Sequence, residues 1–537
     1  MSADASRAAP SVHAQSAVDV ACALLLFAAT LVYIWLQPRH LQVGDESYFL
    51  YEAKRIRHGE VMYRDIFQFV TPLASYTMAA VFWLFGTTMS AARDAMAVVH
   101  AIIGAALYAT ARRLHVRREF AVSAALAYLA ICYPLYAYAS WHWFSTLWTV
   151  LLVLSLIDGR WVRNPRAAAL PGLVTGIIIG IQQQKGVVLA AGVVVTLALD
   201  AVIDYRYSPA DHRPPLLRRL AWFAGGVAVV VGPLLAVFAV LAGPTPLYAA
   251  LVRFPLEDYR RHIGCAWGTM PPLGGGDARF SFPTLLRYSP AALLVPLAEW
   301  SVKTAQGRNR QRVRALTVLI VMSAFSALSI RYYPDVIHIA FIAPAFWLCA
   351  ATGTEWVVSA LQPAAFGRVI GALAAGALSV VLLANLATYL GVMRSTFVVA
   401  HDTAFGRLDF SSEWEPVFID AVRQRLAQTE SPEMFAYGLT SAYLTTGGRN
   451  PTPYQFFEPA VSPPAHTQNT LAILTRRRVP YVVAAPLAMA RRNALTRFIE
   501  AHYEPVYLPE LDATRDFSTS LLYQRQDGTG DTAAPTP

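Results

Sequence analysis

The sequence predicts a mainly α-helical, polytopic membrane protein with a small C-terminal α/β domain. Of the 537 residues, 55% are hydrophobic and only 15% are charged, and the mean hydropathy is +0.40. Soluble domains usually carry about 25% charged residues, so disordered chains and ordinary cytosolic enzymes are excluded. Apolar runs recur up to about residue 392, with short arginine clusters between them. The net charge of +10 does not indicate nucleic-acid binding, because these arginines form no single basic face.

The apolar runs predict about eleven transmembrane helices, since roughly 20 apolar residues cross a bilayer. The predicted spans lie at 17–36, 92–111, 119–136, 142–158, 168–184, 186–204, 217–242, 288–303, 314–330, 335–353 and 366–392. A further run at 73–86 has only 14 residues. A run this short is typical of an interfacial or re-entrant segment, and we expect it to lie at the outer surface.

Charge determines the predicted orientation, because Lys and Arg accumulate in cytoplasmic loops. Basic clusters occupy alternate loops, at 112–118, 160–166, 206–219 and 303–314. This pattern predicts a cytoplasmic N-terminus. It places outside the cytoplasm a first loop (37–91), a second loop (243–287) and the whole C-terminal part of the chain.

The C-terminal part is expected to form its own extracytoplasmic domain over residues 393–525, after a transmembrane module of residues 1–392. An amphipathic stretch at 414–428, apolar strands at 434–438 and 481–485, and a last strand within STSLLYQR alternate in a way that predicts an α/β fold. The polar residues 526–537 are expected to be disordered.

The first outer loop has the densest set of ionisable residues, and it starts with Asp45 and Glu46. The spacing of Phe49, Ala53 and Ile56 predicts a surface helix with one apolar stripe. Its other side carries Lys54, Arg55 and Arg57, and we expect these cations to face lipid phosphates. Because Asp is favoured at helix N-termini, Asp45 is expected to cap this helix, which is compatible with a chemical role.

Two further polar groups fall on the same predicted side of the membrane. Lys185 follows three glutamines between two apolar runs, and Arg331, Asp335 and His338 lie at the mouth of the ninth and tenth predicted spans. An ammonium is costly there unless it meets an anion or water. The alternatives are a snorkelling Lys185, a structural Arg331–Asp335 ion pair and a His338 satisfied within its helix.

A carboxylate and several cations at one level of the membrane suit a reaction on a phosphate-bearing lipid. The alternative is a flippase or carrier for a lipid-linked saccharide, although a transporter is expected to hold its key charges near the membrane midplane. No glycine-rich phosphate loop is present on the cytoplasmic side, so nucleotide-driven chemistry is not expected.

The first outer loop contains a series of short motifs, namely Asp45-Glu46-Ser47-Tyr48, Gly59, Tyr63-Arg64-Asp65, Pro72-Leu73, Tyr76, Leu84-Phe85-Gly86 and Ala91-Ala92-Arg93. This series resembles the first loop of the GT-C glycosyltransferases, within the group that includes protein O-mannosyltransferases and the bacterial aminoarabinose and galacturonic acid transferases acting on lipid A. The segments GLVTGIIIGIQQQKG and RYYPDVIHIAFIAP are also similar to segments of that group. The chain departs from it at Trp141–Phe144, where some members carry an acidic residue before proline.

The resemblance implies a GT-C fold in a bacterial cytoplasmic (inner) membrane, with the C-terminal domain in the periplasm. It also implies the inverting transfer of a sugar from a polyprenyl-phosphate donor to an extracytoplasmic lipid, glycan or protein acceptor. It implies catalytic roles for Asp45, Glu46 and Asp65, with Asp45 as the base or the group that orients the acceptor hydroxyl. Candidate ligands of the donor phosphate are Lys185, Arg331 and Arg55. Candidate substrate-site residues are Asp335, His338, Tyr48 and Tyr63. The sequence shows no required cofactor. Asp45, Asp65 and His338 would hold a divalent metal only if the fold brought them together.

Overall fold

The computed structural model describes residues 12–207, 215–259, 264–270, 277–307, 309–360, 365–455, 457, 462–514 and 521–526. The predicted disordered tail lies outside these residues except for its first member, and parts of the second outer loop also lie outside them. The longer helices are α1 (Val12–Trp35), α2 (Asp45–Arg57), α3 (Leu73–Phe85), α4 (Met89–Arg113), α5 (Arg118–Ala127), α6 (Trp141–Ile157), α7 (Ala169–Ile181), α8 (Gln183–Tyr207), α9 (Leu216–Leu241), α10 (Leu294–Ala305), α11 (Arg310–Ser329), α12 (Val336–Ala360), α13 (Ala365–Thr396), α14 (Trp414–Ala427), α15 (Pro464–Arg477) and α16 (Ala494–His502).

Short helical segments connect the longer helices. Single α-helical turns lie at Arg160–Arg163, Pro244–Tyr248, Pro283–Tyr288, Ser441–Thr445 and Pro486–Met489. Tighter 3-10 turns lie at Pro165–Ala168, Asp277–Ser281, Ser289–Leu293 and Pro509–Thr514, and wider π-helical turns lie at Tyr128–Cys132 and Ala249–Tyr259.

Within the described residues, seven helices are long and apolar enough to cross a membrane: α1, α4, α8, α9, α11, α12 and α13. Four of the predicted spans are shorter or interrupted. The span at 119–136 changes to π geometry at Tyr128, the span at 168–184 breaks at Gln182, and the span at 288–303 begins as a 3-10 turn. The span at 142–158 is the 17-residue α6. The mainly helical membrane fold is therefore confirmed, whereas the count of eleven spans stays a prediction.

Two arginines of the basic clusters that are predicted to be cytoplasmic form ion pairs between the long helices. Arg219 at the start of α9 has no exposed surface, and its guanidinium Nη1 lies 2.6 Å from the Asp200 carboxylate on α8. Arg314 on α11 also binds Asp200, at 2.6 Å, and both arginines bind Asp204. Because two arginines face two aspartates, the buried charges are neutralised, and three helices are fixed together at this end.

The helix α2 differs from the predicted surface helix. Phe49, Ala53 and Ile56 are buried as expected, but the opposite side is also covered by protein. Lys54 Nζ donates to the Tyr443 carbonyl at 3.1 Å, and the Arg57 guanidinium donates to the Phe82 carbonyl. The expectation that these cations face lipid phosphates is therefore wrong for Lys54 and Arg55, which bind carbonyls of the C-terminal part. For Arg57, which is exposed, it stays a prediction.

The C-terminal part has the predicted α/β character. Strands β3 (Met434–Tyr437), β4 (Tyr481–Ala484), β5 (Tyr503–Pro505) and β6 (Leu522–Arg525) form a sheet in the order β3-β4-β6-β5. The β3–β4 pair is parallel, and β6 is antiparallel to both of its neighbours. The predicted amphipathic stretch is α14, which buries Phe418, Val422 and Leu426. The sequence missed an antiparallel hairpin of β1 (Val399–Thr403) and β2 (Gly406–Phe410) directly after α13.

The C-terminal part docks on α2 through specific contacts. The Tyr51 ring stacks on Tyr443 with 4.6 Å between ring centroids, and the Asn450 backbone N–H donates to the Tyr51 hydroxyl at 2.8 Å. The Phe67 amide donates to the Pro453 carbonyl at 2.8 Å. Since α2 begins at Asp45, this docking helps to fix the position of the first acidic motif.

Candidate active site

A cavity of about 800 Å³ opens beside the N-terminus of α2. Its wall is formed by α2, the segment 68–70, the start of α6, the α7–α8 junction, the π turn Ala249–Tyr259 and the connection between α11 and α12. Pockets that bind small ligands have volumes of about 300–1,000 Å³. Five predicted site residues line this cavity: Asp45, Tyr48, Arg331, Asp335 and His338.

Asp45 is the first residue of α2, and Gly44 occupies the capping position with φ 137°. No side chain caps the helix, so the expectation that Asp45 is the cap is wrong. The carboxylate is instead exposed to the cavity. Because the protein around the cavity keeps bulk water from this carboxyl, desolvation raises the pKa of Asp45. The nearby His338 opposes this shift, and the Asp335 carboxylate adds to it.

Glu46 points away from the cavity although it follows Asp45 directly. Its side chain has no exposed surface, and its carboxylate lies 2.7 Å from the Arg93 guanidinium on α4. It also accepts hydrogen bonds from the Gln42 and Ala139 backbone amides, at 2.9 and 2.7 Å. These contacts anchor the first turn of α2, which makes Glu46 a positioning residue in the geometry observed.

His338 and Asp335 form a second polar group in the cavity. The Asp335 carboxylate accepts from the His338 backbone amide and from the His338 ring Nδ1, each at 2.7 Å. With Nδ1 bound in this way, Nε2 is the nitrogen left for another partner. The structural alternative for this region was an Arg331–Asp335 ion pair, and the described residues contain no such pair, because Asp335 binds His338 instead.

Two cations are associated with the cavity in different ways. Arg331 is an exposed residue of the cavity wall and forms no ion pair within the described residues. Lys185 is only 3% exposed, and its ammonium donates to the Ser145 hydroxyl at 3.1 Å and the Thr146 hydroxyl at 3.4 Å. The snorkelling alternative for Lys185 is therefore wrong. Its ammonium lies inside the protein with neutral hydroxyl groups as its partners.

Three other predicted site residues do not line the cavity. The Arg55 guanidinium is buried and binds Glu60 at 2.5 Å, the Thr452 carbonyl and the Asp65 carbonyl, so its donors are already occupied. Asp65 is partly exposed, and hydrogen bonding to the Arg64 guanidinium lowers the pKa of its carboxyl. The Tyr63 hydroxyl donates to the Val70 carbonyl at 2.8 Å and so supports the cavity wall from behind.

Several residues of the cavity wall, among them His142 and Gln182, were not predicted from the sequence as site residues. His142, at the start of α6, stacks on Phe341 with 4.6 Å between ring centroids, and its Nδ1 accepts a hydrogen bond of 3.2 Å from the Gln182 amide. Gln182 lies at the break between α7 and α8 and has φ −153° and ψ 95°. A run of three glutamines between two apolar runs was the available signal, because broken helices within a membrane usually line a cavity.

The His142–Gln182 contact continues into the protein toward Lys185. The Gln182 side-chain oxygen accepts from the Ser145 hydroxyl at 3.1 Å, and the same hydroxyl is bound to the Lys185 ammonium. A continuous hydrogen-bonded path therefore connects the Lys185 ammonium with the His142 ring, which lines the cavity.

The metal site considered from the sequence is not formed by the described residues. That part of the chain contains no group of three His, Cys, Asp or Glu side chains placed to hold an ion. In particular, Asp65 does not join Asp45 and His338.

Comparison with known proteins identifies the fold. No family model matches the chain, and no curated protein sequence matches it. Among solved structures, the crystal structure of ArnT from Cupriavidus metallidurans bound to undecaprenyl phosphate is similar, with a TM-score of 0.55 and 14% sequence identity. The match covers 98% of this chain and 100% of that chain. The described residues therefore share the fold of this ArnT structure, which is the GT-C fold.

Two further solved structures give weaker matches. The apo crystal structure of ArnT from Cupriavidus metallidurans has a TM-score of 0.49 and 17% identity, covering 92% of this chain and 96% of that chain. The cryo-EM structure of the arabinofuranosyltransferase AftD from mycobacteria has a TM-score of 0.49 and 15% identity, covering 95% of this chain and 40% of that chain.

Proposed function

We propose that the protein is a membrane glycosyltransferase that moves a sugar, with inversion, from a polyprenyl-phosphate donor to an acceptor outside the bacterial cytoplasmic membrane. The observation that carries the proposal is the exposure of the Asp45 carboxylate to a cavity whose wall also holds Arg331. The GT-C fold supports it, as does the similarity to an ArnT structure that holds undecaprenyl phosphate.

Asp45 is the proposed base. A hydroxyl group of the acceptor donates its proton to the Asp45 carboxylate while its oxygen attacks the anomeric carbon of the donor sugar. The bond from that carbon to the phosphate oxygen breaks, and the polyprenyl phosphate leaves with the electron pair on the opposite face. The raised pKa of Asp45 strengthens it as a proton acceptor. Because the phosphate leaves as an anion, no carboxylic acid is needed to protonate it, unlike in glycoside hydrolysis.

Arg331 and Lys185 are the proposed phosphate-side cations. The Arg331 guanidinium has no carboxylate partner among the described residues and can form paired, charge-assisted hydrogen bonds with a phosphate. Lys185 lies behind the wall, with hydroxyl groups as its partners. In a site of low dielectric constant its charge favours an anion nearby. The cavity, of about 800 Å³, is large enough for a sugar phosphate. The proposed acceptor is an extracytoplasmic lipid, glycan or protein.

The test uses purified protein in detergent with radiolabelled polyprenyl-phosphate sugars and an extract of lipid and glycan acceptors. Wild type is compared with Asp45→Asn and with the control Asp402→Asn, which makes the same chemical change at an exposed position of the β1–β2 hairpin. Loss of a general base typically costs about 10²–10⁴-fold in rate, so we expect this loss for Asp45→Asn and none for the control.

Two results would overturn the proposal. Equal transfer by Asp45→Asn and wild type would remove Asp45 from the chemistry. Donor binding by all three proteins, with donor flipping in vesicles but no transfer to any acceptor, would establish a carrier for lipid-linked saccharides instead.

A further inference from the structure

A second pocket, of about 320 Å³, lies where the first and last long helices end. It is formed by the residues after α1, the last turn of α13 and strand β2, and it shares no wall residue with the Asp45 cavity. Three arginines and one aspartate contribute its charged side chains: Arg39, Arg394, Arg407 and Asp409. Trp35, Leu36, Gln37, Pro38 and Phe397 complete the wall.

Backbone hydrogen bonds fix the framework of this pocket. The Arg39 amide donates to the Asp409 carboxylate at 2.7 Å, and the Asp409 amide donates to the Arg39 carbonyl at 3.1 Å. The Arg394 guanidinium Nε donates to the Leu36 carbonyl at 2.9 Å, at the end of α1. The linker after α1 is thus tied both to the hairpin and to α13, so the three arginines are gathered by the fold.

The charge of the pocket is unbalanced. Within the described residues, none of Arg39, Arg394 and Arg407 forms an ion pair, and the Asp409 carboxylate is bound to a backbone amide. Three guanidinium groups against one carboxylate leave a net charge of +2. Like charges held together repel one another unless an anion joins them, and the planar guanidinium matches the geometry of phosphate oxygens.

The position of the pocket across the membrane favours a lipid as its ligand. It lies at the ends of two helices long and apolar enough to cross a membrane, which is the level of lipid headgroups. Trp35 on its wall is 57% exposed, and tryptophan is enriched at the membrane–water interface. Basic pockets between membrane helices commonly bind anionic lipid headgroups.

We propose that the pocket lined by Arg39, Arg394 and Arg407 binds the phosphate headgroup of an anionic lipid in the adjacent leaflet, separately from the Asp45 cavity. The inference does not depend on the proposed sugar transfer. A bound phosphate would neutralise the arginines and tie α1, α13 and the β1–β2 hairpin to the membrane surface.

The test is lipid binding to the full-length protein in detergent, measured by native mass spectrometry with short-chain phosphatidylglycerol, phosphatidylcholine of the same chain length, and inorganic phosphate. The variant is Arg39→Gln/Arg394→Gln/Arg407→Gln. Its control is Arg476→Gln/Arg492→Gln/Arg497→Gln, which removes three exposed arginines from the C-terminal part. We expect wild type and control to prefer phosphatidylglycerol, and the variant to bind it at least about tenfold more weakly, as follows from losing at least one charge-assisted contact.

Unchanged phosphatidylglycerol binding by the variant would overturn the proposal, and so would equal binding of the two lipids by wild type. Inorganic phosphate bound as tightly as phosphatidylglycerol would assign the pocket to a soluble phosphate and also refute a lipid site. Should the triple variant fail to fold, the single Arg407→Gln, at an exposed position of the β1–β2 hairpin, is used. For it we expect a smaller loss of binding with an unchanged melting temperature.

Discussion

Asp45 and Glu46 are neighbours in sequence but have opposite surroundings. Asp45 is exposed to the cavity, and Glu46 is enclosed with Arg93 and two backbone amides. On a helix, successive side chains point about 100° apart, and here the two carboxylates point to different surroundings. The geometry therefore supports one reactive carboxylate at this motif and one anchoring carboxylate.

The pH dependence of transfer follows from the surroundings of Asp45. The proposed base must be ionised, and its pKa is raised above 3.8 by desolvation. The rate should therefore fall, as the pH is lowered, at a higher pH than for an ordinary aspartate. The measurement is kcat/KM against pH, with Asp335→Asn as the comparison. Since the Asp335 carboxylate raises the pKa of Asp45, removing its charge should move the acid limb to lower pH. An acid limb that stays in place or moves upward would contradict this assignment.

Glu52 is a buried carboxyl group within the contact between α2 and the C-terminal part. Its Oε2 accepts hydrogen bonds from the Gln68 amide at 2.7 Å and the Gln455 amide at 2.8 Å. Burial raises the pKa of Glu52 to about 7. The folded state therefore keeps this proton at a pH where the unfolded chain has lost it.

Stability should consequently fall as pH rises between about 4.5 and about 7, because the folded protein binds more protons over that interval. The slope from this one group is roughly 1.4 kcal/mol per pH unit. Glu52→Gln removes the titration and keeps an oxygen that accepts both hydrogen bonds. We expect melting temperatures of wild type to decline across this window and those of Glu52→Gln to decline less. Parallel curves would show that Glu52 does not titrate in this range.

At the scale of elements, helices α7 and α9 pack with their backbones in direct contact. A Cβ atom on Gly226 would lie 2.3 Å from the Ala169 carbonyl oxygen, and one on Gly172 would lie 2.2 Å from the Phe223 carbonyl oxygen. Small residues permit such close approach of membrane helices. Because the opposing atoms belong to the backbone, no side-chain movement can relieve the clash.

Gly226→Ala should therefore destabilise the protein by about 1–3 kcal/mol or more, the usual cost of overpacking. Gly225→Ala is the matched control, since a Cβ at Gly225 meets nothing within 4 Å. Melting temperatures and yields of monodisperse protein would be measured for both variants. We expect a loss for Gly226→Ala and none for Gly225→Ala, and equal effects would show that the two helices are not packed this closely.

At the scale of the whole molecule, arginines lie at the C-terminal ends of α4 and α8 and at the N-terminal ends of α9 and α11. The C-terminal part follows the last long helix, α13. The distribution of basic residues predicts that these ends are cytoplasmic and that the C-terminal part is periplasmic. The Asp45 cavity would then open on the periplasmic side, where the proposed acceptors lie.

Cysteine labelling would test this orientation. The background variant carries Cys22→Ser and Cys265→Ser, which remove the two partly exposed cysteines, whereas Cys132 and Cys349 are buried. Arg497→Cys places a thiol on the C-terminal part, and Arg160→Cys places one at a side chain that is 79% exposed. A membrane-impermeant maleimide should label position 497 in intact spheroplasts and position 160 only after permeabilisation. The reverse pattern would invert the predicted topology.

The sequence by itself determined the mainly helical membrane class, the positions of most helices and the α/β character of the C-terminal part. These follow from hydropathy, periodicity and charge, which are local properties of the chain. It also selected Asp45, Tyr48, Arg331, Asp335 and His338, which the structure brings to one cavity.

Only the tertiary structure decided which charged groups are free and which are bound. Arg55 is bound within the docking contact, Glu46 binds Arg93, and Lys185 is enclosed by hydroxyl groups. Each partner comes from a distant part of the chain, and no local pattern encodes which side chains will meet. His142 and the three-arginine pocket were missed for the same reason. The chemistry of a polar residue in this protein depends on long-range packing, whereas its secondary structure depends on its near neighbours.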